Sequence, residues 1–257
     1  MENEKDADNW SPTFIDIERE FTRFIGGYRG GKPVSEVTTD IPKGVLNADF
    51  YFESDDVIAE LKCLVGDATD PEKKVNRLVS SAIHFGYTGS DIFGWSFRNE
   101  KVPEEVLRRT FAMEKRPIVQ AFEKANKQIR STKLLLNRPN ARGLVLIAND
   151  DNRQFSPAEM LSIICDAFAQ LRDCHVDGVV YFTPNVYHTN GVDDIAQTLW
   201  TPVYNIGSEE FGDFVNPLGR AWFDHFERTG KPFIERTEAD GLDEIARSRP
   251  ITEFIRG

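Results

Sequence analysis

The sequence predicts an α/β fold: a mixed central sheet flanked by helices, with a helical insertion and a C-terminal helical extension. Three observations carry that expectation. Val57–Val65 (VIAELKCLV), Gly143–Asn149 (GLVLIAN) and Asp177–Thr183 (DGVVYFT) are apolar runs of strand length. The last two alternate with a helix opened by Ser156-Pro157 and reaching about Cys174, and alternation of strand and helix implies parallel pairing. Val45–Phe52 and Val57–Val65 are separated by Ser54-Asp55-Asp56, turn residues that make the two runs a hairpin.

The remaining elements follow in order. A first helix is expected from Ser11-Pro12 to about Ile25, capped by Ser11, with Phe14, Ile17, Phe21 and Phe24/Ile25 on its apolar face. Gly-Gly-Tyr-Arg-Gly-Gly then stops it. The cluster lacks the Lys-Ser/Thr and the preceding strand of a phosphate-binding loop, so it reads as a turn. Val34–Thr38 reads as a strand. Residues 66–116 read as an insertion, with one helix from Pro71, a group of aromatics from Phe85 to Phe97 and another helix from Pro103. A long helix is expected from Pro117 to about Leu136. Near the C-terminus, Phe211, Phe214, Leu218, Trp222 and Phe226 share one helical face, which reads as a helix docked on the body and leaves a homodimer or protein assembly open.

Composition is that of a globular chain of 257 residues, 40% hydrophobic and 28% charged. No apolar run approaches the roughly 20 residues of a membrane span, and the acidic start MENEKDADNW resembles neither a signal nor a transit peptide. Three cysteines in apolar segments, Cys63, Cys165 and Cys174, read as reduced core residues of a cytoplasmic protein. The net charge of −11 argues against indiscriminate nucleic-acid binding. Residues 115–142 are the exception: Lys115, Arg116, Lys124, Lys127, Arg130, Lys133, Arg138 and Arg142 stand against Glu123 alone. That segment is either a solvated helix face or a basic stripe that confines a polyanion to one place.

The run VIAELKCLV poses the chemical question, because it carries Glu60 and Lys62 in an otherwise apolar strand. An acid two residues before a lysine also occurs at Glu72-Lys73-Lys74, at an ordinary helix start, so the spacing alone says little. Position says more. Ile58, Glu60, Lys62 and Leu64 share one face and Val57, Ala59, Leu61, Cys63 and Val65 the other, as in a strand covered on both sides. A two-residue loop at Ser54-Asp55 places Asp49 opposite Glu60, Tyr51 opposite Ile58 and Asn47 opposite Lys62. Two opposed carboxylates repel. Either Glu60 and Lys62 form a salt network on an exposed edge, or a divalent cation removes the repulsion, and carboxylate sites of this kind suit Mg²⁺ with Mn²⁺ as substitute. Lys62 would then hold or help deprotonate an attacking water.

Asp49, an 11-residue gap and Glu60-x-Lys62 within IAELKCL resemble the PD-(D/E)xK, or restriction-endonuclease-like, nuclease superfamily. The order helix, three strands, helix, strand and an acidic first helix are similar to its common core. The resemblance covers about residues 12–65 and 117–183 of one nuclease-like domain, leaving the insertion 66–116 and the extension 184–257 outside it. Ala48 stands where the family has its Pro. The resemblance implies a metal-dependent endonuclease, a hydrolase of phosphodiester bonds acting on nucleic acid, with DNA favoured over RNA, in restriction, defence or repair. Asp49 and Glu60 would be metal ligands, Lys62 the catalytic lysine, and Glu18 (with Glu20 as runner-up) a further metal contact from the first helix. The family's second core helix often supplies a Gln or Lys, which points to Gln128 and then Lys124; Lys124, Lys127, Arg130 and Lys133 would contact nucleic acid. The rival expectation is a catalytically inactive nuclease-like fold that binds nucleic acid or assembles with protein.

Overall fold

A computed structural model describes residues 14–38, 44–66, 71–191, 195–230, 232–238 and 242–251. The protein is α/β, with a six-stranded mixed sheet between two layers of helices. Helix α1 (Ile17–Ile25) starts later than expected. Ser11-Pro12 lies outside the described residues, and Asp16 is the cap, its carboxylate accepting from the Arg19 N–H at 3.1 Å. Phe14 precedes the helix and is 56% exposed, while Ile17, Phe21, Phe24 and Ile25 are buried. The glycine cluster turns the chain, with Arg29 and Gly30 at φ of 47° and 69°.

The strand expected over Val34–Thr38 is not formed. Strand β1 is Gly31–Pro33, and α2 (Val34–Val37) is a single helical turn whose first N–H, on Val34, donates to the Asp49 carbonyl at 2.9 Å. Strand β2 is only Phe50–Phe52, shorter than the expected Val45–Phe52. The preceding stretch is tied to a helix instead: the Ala48 N–H donates to Thr132 Oγ1 at 2.7 Å, and the Asn47 carbonyl accepts from Gln128 Nε2 at 2.9 Å. Strand β3 spans Val57–Val65 as expected, and it pairs with β2 as Phe50↔Ala59, Tyr51↔Ile58 and Phe52↔Val57. This is the register that the Ser54-Asp55 turn predicts.

Helices α3 (Pro71–His84), α4 (Gly89–Phe97) and α5 (Glu104–Leu135) follow. In the insertion, Tyr87 and Trp95 pack edge to face at 5.2 Å, whereas Phe93 and Phe97, stacked at 4.7 Å, are exposed. Separate helices are expected from Pro103 and from Pro117, but α5 runs through Pro117 as one helix of 32 residues. An interior proline costs about 3 kcal/mol. Burial of Ile118, Phe122 and Ile129 against the sheet face, worth about 1.5–3 kcal/mol each, offsets that cost.

Strand β4 (Arg142–Asp150), helix α6 (Pro157–Gln170) and strand β5 (Gly178–Phe182) complete the parallel part of the sheet. Ser156 caps α6 in a reciprocal pairing with Glu159, and the helix ends before Cys174. Strands β6 (His188–Thr189) and β8 (Arg249–Pro250) form a separate ribbon, and β7 (Trp200–Tyr204) adds an antiparallel edge to β5. That edge was not expected, because Pro202 interrupts its strand pattern; an edge strand tolerates a proline. The sheet order is β1-β2-β3-β4-β5-β7.

One sheet face packs α5 and α6, the other α1 and α7 (Gly212–Thr229); a short helix α8 (Asp243–Arg247) lies near the end of the chain. Ile58 and Leu64 of β3 enter the first layer and Val57, Ala59 and Leu61 the second, so this strand is covered on both sides. The aromatic face of α7 docks on the body as expected, with Trp222 5.0 Å from Phe21 and 5.9 Å from Phe182, ring centre to centre. Gly219 allows the close approach, since a Cβ there would lie 2.5 Å from Trp200 Nε1. All three cysteines are free; Cys63 and Cys174 are half-buried, and Cys165 is exposed rather than in the core. Among the described residues, no helix is long and apolar enough to cross a membrane.

Candidate functional site

The unequal lengths of β2 and β3 make the site. Strand β2 pairs only with residues 57–59, so from Glu60 onward β3 has a strand neighbour on the β4 side alone. The backbone groups on the open side need other partners. Asp49, just ahead of β2, supplies one: its Oδ2 accepts from the Leu61 N–H at 2.8 Å. A cleft of about 440 Å³ opens here between α1 and α5, lined by Glu18, Thr22, Asp49, Glu60, Lys62 and Gln128 among others.

Glu60 is 1% exposed. Its Oε1 is ion-paired with Lys62 Nζ, and its Oε2 has no hydrogen-bond partner. Burial and then the charge of Asp49 push its carboxyl up to about 7, against the pull of Lys62. Asp49 is raised too, mainly by burial; the Leu61 N–H, Lys62 and Lys124 work in the other direction. Lys62 Nζ also donates to Gln128 Oε1 at 2.9 Å. The orientation of the Gln128 amide is set from behind, because its Nε2 donates to the Asn47 carbonyl and leaves the oxygen for Lys62. Two of the three ammonium N–H groups are thus taken, and the third has no partner among the described residues.

The cleft therefore brings together Asp49, Glu60, Lys62 and Gln128, with Glu18 exposed on its α1 wall. Lys124 is exposed and near enough for its charge to act on Asp49. The other expected contacts lie elsewhere. Glu20 points to Arg23 (2.9 Å) and His225 (3.5 Å). Lys127 is exposed on α5. Arg130 pairs with Asp173 at 3.0 Å. Lys133 is buried beside Asp177 at 4.0 Å, and burial lowers its ammonium. Lys133 sits nine residues after Lys124, half a turn of phase away on a helix, so it faces the core and cannot reach a ligand that Lys124 touches.

Thr132, which the sequence places on the apolar stripe of α5 with Ile118, Ala121, Ala125 and Ile129, is instead a polar tie, the acceptor for the Ala48 N–H. The signal for that role was there: Thr132 lies one turn after Gln128 on the same side of α5, and its hydroxyl also donates to the Gln128 carbonyl at 2.9 Å. Thr132→Val keeps the shape and leaves the Ala48 N–H without an acceptor. The expected cost is about 1–3 kcal/mol in urea-induced unfolding, with greater protease sensitivity of the 44–49 segment.

The donor set fits a small oxygen-seeking dication: two carboxylates whose negative charges oppose each other, one with an orphaned oxygen in a buried position. As arranged, Glu60 is engaged by Lys62, and no group of three or more His, Cys, Asp or Glu side chains is placed to hold a metal ion among the described residues. A scan against protein-family models and searches of curated proteins and of solved structures each return no match.

Proposed function

We propose that the protein is a Mg²⁺-dependent phosphodiesterase of the PD-(D/E)xK type that acts on nucleic acid, with DNA favoured. One observation carries the reading: Asp49, Glu60 and Lys62, found by their spacing, meet in one cleft, and Gln128 from α5 completes the set. Asp49 and Glu60 would hold the cation. A bound Mg²⁺ supplies Lewis-acid polarisation and offsets charge developing on the phosphate. The chain's own groups do the rest. Glu60 and Gln128 hold the Lys62 ammonium in place, and its remaining N–H orients the attacking water and favours its hydroxide form in line with the phosphorus. Lys124, exposed one turn before Gln128 and close enough for its charge to act on Asp49, attracts the phosphate.

The test is incubation of supercoiled plasmid and of single-stranded DNA with Mg²⁺ or Mn²⁺, comparing the wild type with Glu60→Ala and Lys62→Ala. A folded wild type that cuts nothing, or variants that cut equally well, would refute the mechanism. Gln128→Leu keeps the helix and removes the acceptor that aims Lys62. It is expected to lower kcat by about 10- to 100-fold, with KM little changed, because Gln128 acts through Lys62 rather than on substrate.

The Glu60–Lys62 ion pair also supports a second reading, a fold of this kind kept as a binding or assembly module with the pair structural. In that case Mg²⁺ leaves the melting temperature unchanged and Glu60→Gln destabilises the protein.

A further inference from the structure

Helix α5 sorts its cations by face. At about 100° per residue, Arg109, Arg116, Lys124 and Lys127 fall within a sector of about 80°. All four are exposed, and none has an acidic partner among the described residues. The other four that engage acids lie outside that sector: Arg108 with Glu104 at 3.7 Å, Lys115 with Asp166 at 3.2 Å, Arg130 with Asp173 at 3.0 Å and Lys133 with Asp177 at 4.0 Å. The sector contains no carboxylate; Glu105 and Glu123 both fall about 20° beyond its edge, one turn before Arg109 and Lys127, but Glu105 accepts from the Tyr87 hydroxyl and neither is ion-paired with the row among the described residues. On a chain of net charge −11, a carboxylate opposite any of these positions would be easy to supply. Lys124 and Lys127, three residues apart, repel each other on the free helix. An unneutralised row of this kind is what a polyanion needs.

The row ends at the cleft. Lys124 acts electrostatically on Asp49, and Gln128, one turn further on, lines the cleft wall. From Lys127 back to Arg109 the row is about 27 Å long at 1.5 Å per residue, with Arg116 about 12 Å and Arg109 about 22 Å from Lys124. A mononucleotide or a small phosphodiester cannot span it. A strand that advances about 3.4 Å per nucleotide covers it with about eight nucleotides.

We propose that this stripe is a backbone track. It holds the phosphates of a nucleic acid on one side of the cleft and aligns the strand across Asp49 and Glu60; the direction of entry rests on the nuclease reading of the cleft. Arg109 and Arg116 have the distal role, so the part of α5 before and at Pro117 is a binding element as well as a connector.

The test measures binding of fluorescein-labelled 30-base-pair DNA and a 30-nucleotide single strand by anisotropy, without divalent metal, from 50 to 200 mM salt. Arg109→Gln/Arg116→Gln is compared with wild type and with Arg228→Gln, an exposed cation of α7 that controls for overall charge. The double variant is expected to flatten the slope of log affinity against log salt by about two on duplex, or somewhat less on single strand, with Arg228→Gln at the wild-type slope. Shortening the ligand to three nucleotides, about 10 Å and so too short to reach Arg116 from Lys124, is expected to erase the difference between wild type and double variant. A wild type that binds neither nucleic acid at 50 mM salt, a double variant with the wild-type slope, or an equal loss in Arg228→Gln overturns the track. Cleavage separates the two proposals. If the double variant binds normally while Lys62→Ala abolishes cutting, the track is wrong and the cleft stands. If wild type binds through the stripe but cuts nothing with Mg²⁺, the cleft is wrong and the track stands.

Discussion

Lys62→Met is expected to lower Mg²⁺-dependent DNA cleavage by about 10²- to 10⁴-fold, the range for loss of a positioned proton-handling group. Methionine keeps the apolar stem that runs along the sheet and removes the ammonium held by Glu60 and Gln128. The loss is expected in kcat, because the ammonium acts on the nucleophile rather than on substrate binding. Glu60 then has no cationic partner in a position only 1% exposed, so the variant is expected to keep its proton near neutrality and to be best folded at mildly acidic pH. Near-ultraviolet circular dichroism at pH 6 checks the fold. A folded Lys62→Met variant with wild-type kcat would remove Lys62 from the chemistry.

Glu60→Gln is expected to do two opposite things: abolish cleavage and stabilise the metal-free protein above neutral pH. Glu60 rises from 4.5 to about 7 on folding. A carboxyl raised in this way contributes stability that is fully present below 4.5 and is lost as pH climbs through about 7, a change of about 3 kcal/mol. Urea midpoints measured from pH 4.5 to 8 are expected to show that loss in wild type and a flatter profile in Glu60→Gln. His188 has the reverse sign, since burial holds it down at about 4 from 6.5 and its contribution is lost as pH falls; the difference between the two proteins cancels it. Mg²⁺ at pH 8 is expected to restore the wild-type stability by binding only the folded state, with no gain in Glu60→Gln or Asp49→Asn. Destabilisation by Glu60→Gln, with no Mg²⁺ effect in wild type, would favour the structural role of the ion pair.

Much of this site was legible in the sequence for a physical reason. Side-chain alternation along VIAELKCLV puts Glu60 and Lys62 on one face of β3, and the two-residue turn at Ser54-Asp55 sets the register that puts Asp49 beside Glu60. Gln128 was legible because it borders the apolar stripe of α5. What escaped depended on tertiary context. Pro117 reads as a helix start, yet packing of the residues around it carries α5 through. Lys133 looks like one more cation in a basic segment, but its helical phase turns it to Asp177. Asn47 and Ala48 look like strand, but α5 claims their backbone groups through Gln128 and Thr132. In β7 a proline hides an edge strand that only the finished sheet explains.

The most direct measurement is a crystal structure grown or soaked with Mn²⁺ and recorded at the manganese absorption edge. The expected result is an anomalous peak shared by the Asp49 and Glu60 carboxylates, with Lys62 still on Gln128 and Glu18 within reach through water. An ordered cleft with no peak at saturating Mn²⁺, and Glu60 still paired with Lys62, would contradict the metal centre.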